Sequence, residues 1–209
     1  MRGGSVLSRA SILEGGSRVS STVHRPLRAD ARRNREKILA AAAAAFATSG
    51  LDAQVEDIAR GAGLGVGTVY RHYPTKETLV SALAQEHFQR LAETLEAALA
   101  EEGDGWEIFS AAIWRAATAA AGDIAWCEII AGDPGAVAAA ARGQERVAAA
   151  TATLIARAQA EGAMREDATV EDVRTVMCGF GHIAAGQRAG APLDWKRYLV
   201  IALDGLRAR

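Results

Sequence analysis

Thr68, Tyr70, Arg71 and His72 form the run of this 209-residue chain with the most chemistry in the fewest residues. Thr68 can donate or accept a hydrogen bond and can also offer a methyl group to thymine. Tyr70 and His72 can reach phosphate oxygens, contacts that position a protein on a duplex without reading its sequence. Arg71 can do either. Just before them stand Val66 and Gly67, and just after them Lys76, a further cation within reach of a polyanion. Upstream, Arg32, Arg33 and Arg35 cluster in what the spacing takes as the first turns of a helix. Cations there oppose the helix dipole, so they mark either a solvated charged end or a set of phosphate contacts.

Catalytic chemistry finds less support. The four histidines (His24, His72, His87 and His182) show no metal-ligand spacing with one another or with Cys127 and Cys178. The glycine cluster Gly63-Leu64-Gly65-Val66-Gly67 follows no strand and lacks the lysine of a P-loop. The chain is therefore expected to be no enzyme and to need neither metal nor cofactor.

The elements that must carry these residues are helical. Half of the residues are apolar, only 5% are aromatic, four are proline, and alanine dominates. Such residues lose little freedom in a helix. From Arg32 to Ser49, Ile38, Leu39, Ala42, Ala45 and Phe46 share one helical face, and Gly50 supplies a stop. Val55, Ile58, Ala59 and Ala62 make a second stripe that ends at Gly63-Leu64-Gly65. A short helix from Val66 to about Tyr73 follows, closed by Pro74. Two short helices joined by a glycine-containing turn form a helix-turn-helix unit, whose second helix enters the major groove of DNA. Thr75 then caps a long helix, with Glu77 in its first turn.

The stretch from Arg33 through Leu79, containing ILAAAAAAFATSG and VEDIARGAGLGVGTVYRHYPTKETL, resembles the DNA-binding domain of the TetR family of repressors. The likeness rests on Ile38, Ala42, Phe46 and Gly50, then Ile58 and Ala59, then Gly63, Gly67, Tyr70, His72 and Tyr73, then Lys76 and Leu79. The resemblance implies a homodimer with two recognition helices in successive major grooves and an all-α C-terminal domain that binds a small effector. It also implies phosphate contacts at Tyr70, His72 and Lys76, a variable reading surface at Val66, Gly67, Thr68 and Arg71, and a packed aromatic ring at Tyr73. Three residues depart from the pattern. Gln54 and Gly65 stand where the family usually has hydroxyl caps, and Val66 replaces a residue often polar or basic.

Beyond Thr75 the pattern gives five or more helices. Trp106, Phe109, Ile113, Trp114, Trp126, Cys127 and Met177, with His87, suit the lining of an effector pocket as well as an ordinary core. His182 is read as a buried histidine. Val173, Val176, Met177, Phe180 and Ala184 line one face of the penultimate helix, with Gly179, Gly181 and Gly186 allowing close approach. Trp195, Leu199, Ala202 and Leu206 line the last helix, with Tyr198 and Ile201 beside them, and Asp194 caps it. Such paired apolar helices serve as core or as a two-fold interface, and the resemblance favours the interface for Val173, Phe180, Ala184, Trp195, Tyr198, Leu199, Ala202 and Leu206.

Three segments result: a disordered arm over 1–29, a DNA-binding domain over 30–76 and an effector-binding and dimerisation domain over 77–209. The charge follows that division. Residues 1–90 hold 13 Lys and Arg against 8 Asp and Glu, a net of +5, and the remainder carries −6, giving the chain its −1. A basic module on an acidic body fits a polyanion-facing head. Two cysteines make no disulfide framework, no apolar run reaches the ~20 residues of a membrane span, and the first thirty residues lack the apolar core of a secretory signal. The arm's arginines are compositionally compatible with a transit peptide, but the expected location is cytoplasmic. The expected function is that of a homodimeric repressor released from a palindromic operator on double-stranded DNA by a small molecule. A thiol-based redox sensor using Cys127 or Cys178, and a helical interaction module without DNA binding, are the alternatives.

Overall fold

The computed structural model describes residues 24–126, 129 and 133–208, with side chains from Ala29 onward. The expectations for residues 1–23 and for Cys127 lie outside them. Every described element is helical, save one isolated bridge between Met164 and Arg207.

The first helix, α1, spans His24–Ser49. It begins inside the segment expected as a disordered arm, and eight residues before Arg32. Pro26 does not prevent this, because the amide it lacks would have no partner in a first helical turn. Arg32, Arg33 and Arg35 therefore lie in the interior of α1, where the dipole penalty on terminal cations does not apply. Arg32 pairs with Glu36 at 3.6 Å, and Arg33 pairs with Asp30. Ile38, Leu39, Ala42 and Phe46 are buried, as their spacing requires. Gly50, at φ 61°, ends α1 and opens a 3₁₀ turn over Gly50–Asp52.

Two short helices follow, α2 over Val55–Ala62 and α3 over Val66–His72. Gly63 closes α2 in the left-handed conformation (φ 65°) that glycine adopts without strain. Ile58, Ala59 and Ala62 of α2 and Val69 of α3 are buried in the core, with α2 packed on α1 and α3 packed on α2. The side chain of Gln54 caps nothing and turns back to donate to the Asp52 carbonyl at 2.7 Å.

Helix α4, Lys76–Leu99, is fixed at its start by a reciprocal capping box between Thr75 and Thr78. It is the longest helix of the body and packs on α1 and on three helices that follow it, α5 over Gly105–Gly122, α6 over Pro134–Ala138 and α7 over Ala141–Ala160. Helix α5 spans Gly105–Gly122 and is capped by Asp104. Residues 124–126 are helical, and the Asp123 carboxylate accepts the Trp126 N–H at 3.0 Å. The short α6, Pro134–Ala138, precedes α7, Ala141–Ala160. Helices α8, Val170–Arg188, and α9, Trp195–Asp204, pack on each other, with α8 also touching α5 and α7. Thr169 and Asp172 form the capping box of α8, and Asp194 caps α9.

One expectation needs correcting here. Val173, Phe180, Ala184, Leu199 and Leu206 are turned into the core of their own chain, each less than 10% exposed. Trp195 meets Phe180 edge to face at 5.3 Å, and the Tyr198 hydroxyl donates to the Val176 carbonyl at 3.1 Å. Gly179 and Gly186 do permit close approach, but within the chain: a Cβ at Gly179 would stand 2.4 Å from the Tyr198 hydroxyl. The strongest apolar stripes of α8 and α9 hold the two helices together. They do not face outward, and only the half-buried Trp195, Tyr198 and Ala202 of the expected set keep any exposed surface.

Candidate functional site

Helix α3 is held by a single fully buried side chain, Val69, with Val66 half-buried against the core beside it. The helical turn then leaves the residues around Val69 free to face outward. Tyr70 is 44% exposed, Arg71 is exposed, and Thr68 and His72 are half-buried. A Cβ built at Gly67 would meet nothing within 4 Å, so the N-terminal turn of α3 is open to close approach. The Arg71 side chain folds back to donate from Nε to the Gly67 carbonyl at 3.1 Å. It lies over the outer face of α3, where it can swing onto a base or a phosphate. Lys76 stands at the positive end of the α4 dipole, its Nζ 6.0 Å from the centre of the Phe46 ring. A cation joined to a helix N-terminus suits a phosphate group. Arg32 and Arg33 are exposed on α1. Tyr73 is buried, as its aromatic character implies, and burial pushes its pKa up. Its hydroxyl finds no hydrogen-bond partner.

The residues expected to line an effector pocket separate into two groups. Trp106, Phe109 and Ile113 are buried on α5, with the Arg207 guanidinium 4.7 Å above the Trp106 ring. Trp114 is half-buried against Trp195, and Met177 packs half-buried on the core. His87 and Trp126 instead come together, stacked at 3.8 Å with ring planes 9° apart. They line a cavity of about 340 Å³ between α1, α4 and a wall of Asp123, Ala125, Trp126 and Ile129. Asp123 accepts from Arg90 at 3.1 Å and lies 3.4 Å from His87 Nδ1. Burial pushes the His87 pKa below the usual histidine range, and outweighs the opposing pull of Asp123. Burial alone would raise Asp123, but hydrogen bonds from His87 and the Trp126 amide and the Arg90 charge leave it below the usual carboxylate range. Asp123, Arg90, Glu86 and Glu36 joined this group without any mark in the sequence. Their positions are up to 87 apart, and only the packing of three segments brings them together.

His182, expected to be buried, is exposed on α8. Among the described residues, no group of three His, Cys, Asp or Glu side chains is placed to hold a metal ion.

Residues 38–83 match the family model described as bacterial regulatory proteins, tetR family, and residues 115–208 match the transcriptional regulator SbtR-like C-terminal domain. A TetR transcription regulatory protein from Mycobacterium vanbaalenii is similar over 88% of this chain and 100% of its own, at 33% identity and a TM-score of 0.62. The chain belongs to the TetR family. As a TetR-family protein it is an all-α, DNA-binding transcription regulator whose N-terminal domain carries the helix-turn-helix. A TetR regulator from Streptomyces coelicolor is 32% identical over 83% of this chain and 98% of its own, with a TM-score of 0.60. The ketosteroid transcriptional regulator of Mycobacterium tuberculosis has a TM-score of 0.63 at 24% identity, over 84% of this chain and 95% of its own, which is a likeness of fold alone. No curated protein matches the TetR-family chain. None of its described helices is long and apolar enough to cross a membrane.

Proposed function

We propose that this protein is a homodimeric repressor that leaves a palindromic operator when a small molecule binds its helical body. The observation that carries the reading is the outward face of α3. A helix of seven residues spends only Val69 on full burial and presents Thr68, Tyr70 and Arg71 beside Lys76. Tyr70, His72 and Lys76 would hold phosphates, while Thr68 and Arg71 would meet base edges in the major groove. Gly67 would let the backbone approach the duplex closely.

Two such heads require a dimer, and the outward faces of α8 and α9 suit one. Cys178, His182 and Ala185 are exposed along α8, with a bare backbone at Gly181, and Val200 and Ile201 are exposed on α9 at 37% and 57%. Large apolar side chains exposed together mark an interaction surface. A two-fold pairing through them would bury the patch against itself. An N-terminal head rich in Lys and Arg and an acidic body complete the electrostatic picture.

The reading is tested by selecting duplexes from sheared genomic DNA with the full chain and measuring their binding by fluorescence anisotropy at several salt concentrations. A selected palindromic fragment should bind with steep salt dependence, because phosphate contacts release counterions. Equal affinity for every duplex, or no binding at low salt, would overturn the repressor reading.

A further inference from the structure

The cavity that Asp123, Ala125, Trp126 and Ile129 line with α1 and α4 differs in kind from a pocket enclosed by the body. One wall is the DNA-binding domain itself, through Glu36, Leu39, Ala40 and Ala43 of α1. Alanine at positions 40 and 43 leaves the volume that larger side chains would fill. The opposite wall is Trp126 and Ile129, both buried. An occupant would therefore touch both domains at once.

The charge of the lining selects the occupant. Among the described residues the lining holds three carboxylates, Glu36, Glu86 and Asp123, and one guanidinium, Arg90. Arg90 is already engaged by Asp123 at 3.1 Å and by Glu86 at 3.7 Å. Asp123 in turn is occupied by Arg90, by His87 and by the Trp126 amide. Arg90 keeps further N–H donors, but the three carboxylates outnumber it, and Glu36 and Glu86 hold acceptor capacity at the rim. Among the described residues Glu36 pairs with the exposed Arg32, at 3.6 Å. An anion on Arg90 would sit beside these carboxylates, in a field that remains negative. A cation meets no such obstacle, and its apolar part gains the Leu39, Leu83 and Ile129 surface.

We propose that this seam binds a compact organic cation, an ammonium or amidinium group on an apolar body, and that its occupancy is what weakens DNA binding. The proposal rests on the regulator reading above and specifies its effector and the place where that effector acts. Glu36 and Glu86 stand on α1 and α4, the two helices through which the DNA-binding domain meets the body at this seam. A cation drawn to Glu86 and Glu36 changes the charge on both sides of the joint between α1 and α4.

The test uses three probes with one skeleton: 2-phenylethylammonium, 2-phenylethanol and phenylacetate, titrated calorimetrically into the full chain. The ammonium probe should bind saturably and roughly tenfold tighter than the alcohol, as expected for one partly shielded ion pair. Glu36→Gln with Glu86→Gln should remove that preference and leave alcohol binding in place. Ala43→Phe, which keeps every charge, should block all three probes by filling the cavity. Circular dichroism melts identify any variant that fails to fold, and the probe preference of the parent chain stands as evidence without either variant. Binding of phenylacetate or phenylethanol as tight as that of the ammonium probe would overturn the cation assignment, as would no saturable binding of any probe. Ammonium binding that left the anisotropy-measured DNA affinity unchanged would overturn the effector role. Failure of the ligand-free chain to bind any duplex would strike the DNA-binding reading instead.

Discussion

The residues proposed to meet DNA, on α3 and at the start of α4, divide by what they can distinguish. Tyr70 and Lys76 offer one hydroxyl and one ammonium to phosphates that every duplex presents alike. Tyr70→Phe and Lys76→Ala should therefore weaken binding to all sequences about equally, and Lys76→Ala should also lower the slope of log affinity against log salt by about one. In the proposed complex Thr68 and Arg71 meet base edges, so Thr68→Ala and Arg71→Ala should cost about 1–3 kcal/mol on the preferred site and less on other sequences. Anisotropy on a matched and a scrambled duplex separates the two classes. His87 gives a different prediction. Its pKa in the folded protein is depressed by burial, with Asp123 pulling it back and Arg90 adding to the depression. Among the described residues, Glu86 of its own helix and Glu36 of α1 are the other charged groups around the cavity that it lines. The unfolded chain takes up a proton near the ordinary histidine value of about 6.5, and the folded chain only below it. The neutral ring thus contributes stability above about pH 6.5, lost as the pH falls through that value towards the folded one. Thermal melts of the parent should drop between pH 7 and 5 by more than those of His87→Gln. Parallel curves would show that His87 is not the titrating group.

Element ends carry the local instructions, and they differ in quality. The Thr75–Thr78 box satisfies donors at the start of α4 just where α3 hands over to the body. Thr75→Ala should cost about 1 kcal/mol of stability. Gln54, by contrast, leaves the α2 donors without a side-chain acceptor, so Gln54→Ser should gain on the order of 1 kcal/mol. Denaturant melts give both numbers, and a gain at Gln54 without a loss at Thr75 would contradict the capping argument. Such ends were legible because a cap is a property of three or four consecutive residues. Gly63, Thr75 and Asp194 all act as their types and positions indicate. The start of α1 was not legible, because three arginines within four residues look like a helix end when the helix actually runs through them. The faces of α8 and α9 misled for another reason. Periodicity finds the most apolar stripe of a helix, and Phe180 and Leu199 are on it, but it does not say whether that stripe meets its own chain or a partner. The cavity lining was half legible. His87 and Trp126 stand out as residue types, whereas Glu36, Glu86, Arg90 and Asp123 read as ordinary surface charge until α1, α4 and the wall of Asp123, Ala125, Trp126 and Ile129 are packed together.

At the scale of the whole molecule, the proposed repressor needs a surface that joins two heads at the spacing of two major grooves. With the strongest apolar stripes of α8 and α9 consumed inside the chain, the exposed Val200 and Ile201, the bare Gly181 and the exposed Cys178, His182 and Ala185 are the surface left for a two-fold partner. Ile201, 57% exposed in the single chain, is the side chain with most to gain from burial. Ile201→Glu places a charge on each side of the two-fold patch, where the pair would have to be desolvated together. It leaves Leu199 and Leu203, which hold α9 to the core, untouched. Sedimentation should shift the variant towards a monomer of 21.9 kDa while its melting profile keeps a cooperative transition. The same variant should lose most of its affinity for a two-half-site operator yet bind a single half-site as the parent does, since the α3 surface is unchanged. A dimer that survived Ile201→Glu intact would place the interface elsewhere and reassign the exposed α8–α9 face to a different partner.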